Sequence, residues 1–191
     1  MPGGAIFYRR SGGGVTLSGG EPLLQPDFCR ELLAACRDDG IHTALDTCGL
    51  AKWQMVRDVL PFVDLFLYDI KHVDDQKHRA GTGVSSRLIL DNLVKLAADC
   101  RDGYPEIIVR IPIVPGFNAT IDEIGEILAF LKGLDTIRQV EILPFHHYGE
   151  SKYRKLQKTY TFDSCSLLSD GFLDDCVALA EKNGFDVIRG E

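Results

Sequence analysis

Ser11-Gly-Gly-Gly-Val15-Thr-Leu-Ser18-Gly19-Gly20-Glu21-Pro22 is the stretch on which the reading of this chain turns. Val15 to Leu17 is a short β-branched strand that runs into two glycines. Their missing side chains let the polar end of a ligand approach the backbone N–H groups directly, and Glu21 and Pro22 stop the strand. Taken alone, such a turn is equally a phosphate cradle, a tight turn or a point of close packing. The Lys-Ser/Thr ending of a nucleotide P-loop is missing, as is a G-x-G-x-x-G running into a helix, which argues against nucleotide binding of those types.

Outward from this turn, apolar runs bounded by turn residues alternate with amphipathic stretches. The pattern predicts strands at Gly14–Leu17, Thr43–Asp46, Leu65–Tyr68, Ile107–Ile111, Gln139–Leu143 and Asp186–Ile188. It predicts helices at Pro26–Asp38, Lys52–Val59, Asp74–Ala80, Arg87–Asp99, Ile121–Leu131 and Gly171–Asn183. Strand and helix repeated with short loops imply parallel strands joined by right-handed crossovers, an α/β sheet of the barrel kind. With 191 residues, 45% of them hydrophobic, a single domain spanning 1–191 is the default. Residues 148–168 lose periodicity and are expected to form a surface crossover.

The formal net charge of -7 and the lack of a Lys/Arg block argue against nucleic acid or an anionic membrane as the main partner. No apolar run approaches the ~20 residues of a spanning helix, and the Gly-rich start lacks the apolar centre of a signal peptide. The expectation is a cytoplasmic protein. Six cysteines, at 29, 36, 48, 100, 165 and 176, are scattered without the short spacing that closes a zinc or iron–sulfur site, and read as core or near-surface thiols.

The unusual residues collect at one kind of place. Ser18-Gly19-Gly20, Asp46-Thr47, Asp69-Ile70-Lys71, Arg110-Ile111-Pro112 and Pro144-Phe145-His146 each sit at the C-terminal end of a predicted strand, the edge where parallel α/β folds gather ligands. Each has a plainer reading. Glu21 is an exposed carboxylate, an organiser of its loop, or an acceptor for an amino group. Asp46 and Asp69 are two helix N-caps, or a pair suited to a hard cation or an ammonium. Lys71 is a solvated loop lysine, a partner of Asp69 or of a ligand carboxylate, or a Schiff-base amine in a barrel lyase. Arg110 calls for an anionic partner, and Pro112 with Pro115-Gly116 marks a turn.

Together these residues resemble the radical SAM activating enzymes of glycyl-radical enzymes, typified by the pyruvate formate-lyase activase. The likeness covers about Phe7 to Tyr153 and preserves order. It rests on the Gly-Gly-Glu segment, the Asp-hydrophobic-Lys triplet Asp69-Ile70-Lys71, Asp75 with His78 and Thr82-Gly83, the Arg110-to-Pro115-Gly116 segment, and His146. Ser86 stands where that family usually has Asn.

The resemblance implies an incomplete (β/α)6 partial TIM barrel of parallel strands, missing the first strand. It implies S-adenosylmethionine bound by Ser18, Gly19, Gly20, Glu21, Asp46, Thr47, Asp69, Lys71, Arg110, Pro112 and His146. A monovalent cation at Asp46, Thr47, Leu67 and Asp69 would lie near the ligand's carboxylate. In such enzymes a 4Fe-4S cluster, reduced by flavodoxin or ferredoxin, delivers an electron that cleaves the ligand, and the resulting radical takes a hydrogen from a glycine of the partner enzyme. The family's Cys-x-x-x-Cys-x-x-Cys loop has no counterpart in this sequence. The expectation is therefore a chain that keeps the S-adenosylmethionine wall and is inactive alone, or else a non-catalytic module that binds S-adenosylmethionine or a partner protein. His78 is expected to pack rather than to catalyse.

Overall fold

The computed structural model describes residues 13–100, 104–145 and 168–190. They form one six-stranded sheet: β1 (Gly14–Leu17), β2 (His42–Thr47), β3 (Leu65–Asp69), β4 (Glu106–Ile113), β5 (Gln139–Pro144) and β6 (Asp186–Arg189). Every neighbouring pair is parallel, and the spatial order is the chain order, β1 to β6. Among the described residues the crossover helices are α1 (Pro26–Asp38), α2 (Trp53–Val59), α3 (Asp75–Thr82), α4 (Arg87–Asp99), α5 (Ile121–Lys132) and α6 (Asp170–Lys182). Right-handed crossovers between strands taken in sequence put all helices on one side of the sheet, which then curls as an open barrel.

Strand alternation divides the sheet accordingly. Leu45, Phe66, Tyr68, Val109, Ile111 and Val140 point towards the helices and are essentially inaccessible to water. Facing them, α1 contributes Leu33, α4 contributes Leu93 and Leu96, and α5 contributes Ile124, Ile127 and Leu128, in a single core cluster. Each such side chain contributes ~1.5–3 kcal/mol of burial, which explains why the apolar periodicity located these elements within one or two residues. The opposite face carries the alternate residues, among them Asp46, Asp69, Arg110 and Glu141, and is the inner face of the barrel.

Two details depart from the expected elements. Short 3-10 turns at Pro22–Leu24 and Leu60–Phe62 lead into α1 and out of α2. β4 runs through Pro112 to Ile113 instead of turning there. The last bond on the β3 side is Ile70 N–H to Arg110 O, at 2.9 Å. The next would need an N–H at position 112 to reach Ile70 O, so the proline closes the ladder to β3, while β5 still pairs with β4 through Ile113.

The loop after β2 is held tightly. Gly49 has φ +69, and a Cβ built there lies 1.7 Å from Tyr68 Oη, whose hydroxyl donates to Ile89 O at 2.7 Å. The buried Asn92 of α4 donates to Gly49 O at 2.8 Å and to Ala51 O at 2.7 Å. Gly49→Ala is expected to lower stability by about 2–4 kcal/mol in chemical denaturation, through backbone strain and the collision with Tyr68 together. An unchanged midpoint would contradict this packing.

Candidate functional site: a charged network on the inner face

Four strands bring their C-terminal ends into one hydrogen-bonded network. Arg110, on β4, donates from Nε to Asp69 Oδ1 at 2.9 Å, and its Nη2 contacts both Asp69 Oδ1, at 2.8 Å, and Asp46 Oδ1. Lys71 Nζ lies 3.2 Å from Asp69 Oδ2, and Ser18 Oγ donates to Asp46 Oδ2 at 2.8 Å. The sheet register explains the convergence. Asp69 is paired with Arg110 across β3 and β4, while Asp46 lies one strand further on the same face. Arg110, Asp69 and Asp46 are only 16%, 18% and 22% exposed, so their attraction is screened much less than at a surface. Burial works against the guanidinium's charge, but Asp69 and Asp46 outweigh it and raise its pKa.

Glu141 on β5 pairs in register with Arg110 and adds a third carboxylate to this face. Burial raises its pKa; Arg110 offsets this, and Asp69 and Asp46 add to it. The inner face thus presents three carboxylates and two cations, an arrangement that accepts a ligand bearing both positive and negative groups.

Gly19 and Gly20 lie at the exposed end of β1 with φ +104 and +31, and nothing stands within 4 Å of a Cβ built at either. They open onto a cavity of about 450 Å3 whose walls include Leu17, Ser18, Pro22 and Phe28. The Glu21 carboxylate turns back onto its own loop and the end of β2. Its Oε1 accepts from Thr47 Oγ1 at 2.6 Å and from Leu23 N at 3.1 Å, and its Oε2 accepts from Cys48 N at 3.0 Å. Of the readings open for Glu21, the structure supports the organiser of the loop. Thr47 is likewise turned away from the inner face, and Gly49 N donates to its hydroxyl. The Cys48 thiol donates to Glu21 Oε2 at 3.1 Å, and burial together with that carboxylate pushes its pKa up to about 11.

Ser18, Asp46, Asp69, Lys71 and Arg110 are therefore brought together, with Gly19 and Gly20 beside them. Pro112 is one pleat further along β4, and the expected anionic partner of Arg110 turns out to be this chain's own Asp46 and Asp69. His146 and Cys165 lie outside the described residues, as does most of the expected crossover at 148–168. His78 packs: it is 2% exposed, with Nδ1 2.8 Å from Val84 O. Ser86 precedes α4 without a side-chain capping bond.

Three residues that local pattern did not single out prove central. Glu141 was legible only as an interruption of the apolar β5, Val140-Glu141-Ile142. Asn92 and Asn118 are fully buried amides that bond to distant backbone, which no spacing rule records. A faint signal for Asn118 is its place after Pro115-Gly116-Phe117, where Asn commonly bonds to its own turn.

The Radical SAM superfamily profile matches residues 5–131 of the chain. The choline trimethylamine-lyase activating enzyme of Oleidesulfovibrio alaskensis is 39% identical over 95% of this chain and 58% of its own length. The trans-4-hydroxy-L-proline dehydratase activating enzyme of Clostridioides difficile is 41% identical over 97% of this chain and 61% of its own length. The chain thus spans somewhat more than half of these relatives. Among solved structures, a domain of pyruvate-formate lyase-activating enzyme from Bacteroides vulgatus superposes with a TM-score of 0.75 and 31% identity, covering 94% of this chain and 99% of that one.

Glu141→Gln is expected to raise stability at neutral pH. A carboxyl whose folded pKa is raised above its ordinary 4.5 takes up protons on folding, so its ionisation costs stability as the pH climbs from that value to the folded pKa. The gain of the variant over the parent, measured by denaturation midpoints across pH, should be full at pH 7 and vanish below the ordinary glutamate range. A gain independent of pH would rule this account out.

Proposed function

Since this chain belongs to the Radical SAM superfamily, we propose that it forms the S-adenosylmethionine-binding face of an enzyme that activates a glycyl-radical enzyme. The observation that carries the reading is the network Ser18–Asp46–Arg110–Asp69–Lys71 standing beside the open Gly19-Gly20 turn. S-adenosylmethionine carries an ammonium, a carboxylate and a sulfonium, and one face here offers partners for all three groups. The glycine turn presents backbone N–H groups to a carboxylate, Asp46 and Asp69 accept from an ammonium, and the surplus carboxylate charge favours a sulfonium nearby.

When bound, S-adenosylmethionine supplies one-electron chemistry at its sulfonium. This chain's residues do the positioning. Arg110 holds the two aspartates at fixed separation, Lys71 holds Asp69 from the other side, and Glu21 locks the glycine turn against the end of β2. A monovalent cation at Asp46, Asp69 and the carbonyls of Thr47 and Leu67 belongs to the same reading, because each carboxylate keeps free lone pairs beyond its bonds to Arg110, Ser18 or Lys71. His146 is assigned to the adenosine side of the ligand.

The described cysteines do not fit a 4Fe-4S cluster. Cys29, Cys36, Cys100 and Cys176 are buried in separate parts of the core, and the Cys48 thiol is held protonated against Glu21. In this reading the cluster's ligands lie elsewhere than among the described residues. Names of the relatives point to choline trimethylamine-lyase, trans-4-hydroxy-L-proline dehydratase and similar enzymes as the class of partner. A flavodoxin or ferredoxin is the matching class of reductant. The second reading, a binding module without turnover, is favoured by the same cysteine geometry. Anaerobic iron reconstitution tests the second reading, since broad visible absorption would overturn it.

Equilibrium dialysis with labelled S-adenosylmethionine tests the binding face. The chain should show saturable binding that Asp69→Asn, Arg110→Met and Gly20→Val each weaken by about ten-fold or more, the loss typical of removing a charged hydrogen-bond partner. Leu88→Ala, on the exposed side of α4, should leave it unchanged. Absence of saturable binding by the parent chain would overturn the proposal.

A further inference from the structure

Lys71 is the first residue beyond the β3 ladder, since Ile70 makes the last backbone bond to β4. Its ammonium belongs to the inner-face network, yet the backbone that carries it has left the sheet. What holds that backbone is the side chain of Asn118, on the loop after β4. Asn118 is 0% exposed and uses both amide hydrogens: Nδ2 donates to Lys71 O at 2.7 Å and to Pro112 O at 2.8 Å. Its Oδ1 accepts from Val114 N at 2.7 Å.

These three bonds do the work that the sheet no longer does. Pro112 O points to the side on which β3 would lie had it continued, where the His72 N–H would have met it. One amide group thus spans a gap that backbone pairing leaves open, with partners on both exit loops. His72 anchors the chain one residue later. It is 1% exposed, its Nδ1 accepts from Asp74 N at 3.0 Å, and its Nε2 lies 3.5 Å from Glu123 on α5. The segment therefore stays attached without Asn118, whereas the setting of Lys71 against Asp69 does not.

We propose that Asn118 is a positioning residue for the ligand site, fixing Lys71 beside Asp69 by joining the exits of β3 and β4. Asn118 touches no ligand and acts through Lys71. The affinity part of this inference rests on the S-adenosylmethionine reading of the inner face; the placement of Lys71 does not.

Two measurements test it on Asn118→Ala and Asn118→Asp, the second of which keeps the acceptor for Val114 N and loses both donors. The first is the acylation rate of each lysine by a limiting amine reagent, followed by peptide mass spectrometry. Lys71 should react several-fold faster in both variants, with the exposed Lys52 and Lys132 unchanged and cooperative melting retained. An unchanged Lys71 rate in a variant that melts cooperatively overturns the proposal. The second is a double-mutant cycle with Lys71→Met, read as affinity for S-adenosylmethionine. Asn118→Ala should weaken binding about ten-fold in the parent and hardly at all in the Lys71→Met background, the scale set by residues that orient a direct ligand. Equal losses in both backgrounds would make Asn118 merely structural. Should the parent chain fail to bind S-adenosylmethionine, the functional reading falls and the labelling rates alone decide the role of Asn118.

Discussion

Arg110 between Asp46 and Asp69 is the interaction around which the rest of this molecule is arranged. A guanidinium and two carboxylates on a poorly exposed face cost desolvation energy comparable to what their attraction returns, so the triad is a poor source of net stability. Removing one member is another matter: an uncompensated charge left there costs about 3–5 kcal/mol. The triad therefore acts as a constraint on position. It fixes the ends of β2, β3 and β4 relative to one another, and it leaves each carboxylate with capacity for a further partner.

That constraint is useful only if the loops leaving those strands are equally well placed, and each is tied by a different polar side chain. Glu21 joins the turn after β1 to the end of β2. Asn92 reaches from α4 to the carbonyls of Gly49 and Ala51. Asn118 spans the exits of β3 and β4. In each case a side chain satisfies backbone groups that have passed beyond regular pairing, which is the usual requirement for burying such groups. Binding surfaces assembled from loops gain precision from such supports, because the donors need no rearrangement when a ligand arrives.

Much of this was legible in the linear sequence. The alternation of Val109, Ile111 and Val140 with polar neighbours, and the amphipathic spacing in α1 and α5, reflect burial against one partner layer, and periodicity reports that directly. The inner-face residues were legible for a related reason: a charged residue in the C-terminal half of an apolar strand has few uses, and Asp46, Asp69 and Arg110 each stand in one. The partners of those residues were less accessible. Nothing near Arg110 in the chain announces that its counter-charges lie on β2 and β3, and the direction in which Glu21 points depends on how β1 approaches β2. Pro112 misled because a proline after an apolar run ordinarily signals a turn. Here the proline closes only the ladder to β3, and β4 continues on its pairing with β5, which nothing at position 112 announces.

The strict agreement between strand order and chain order has a bearing on how the protein is made. Each strand docks against the one synthesised just before it, so the sheet can lengthen one β/α unit at a time, without waiting for a remote segment to emerge. Contacts of this sequential kind keep the entropy of closing each new loop small and shorten the exposure of unpaired strands. Asp46 and Asp69 both precede Arg110, so the two acids are already side by side when the arginine leaves the ribosome. Its pairing with both then offsets their mutual repulsion.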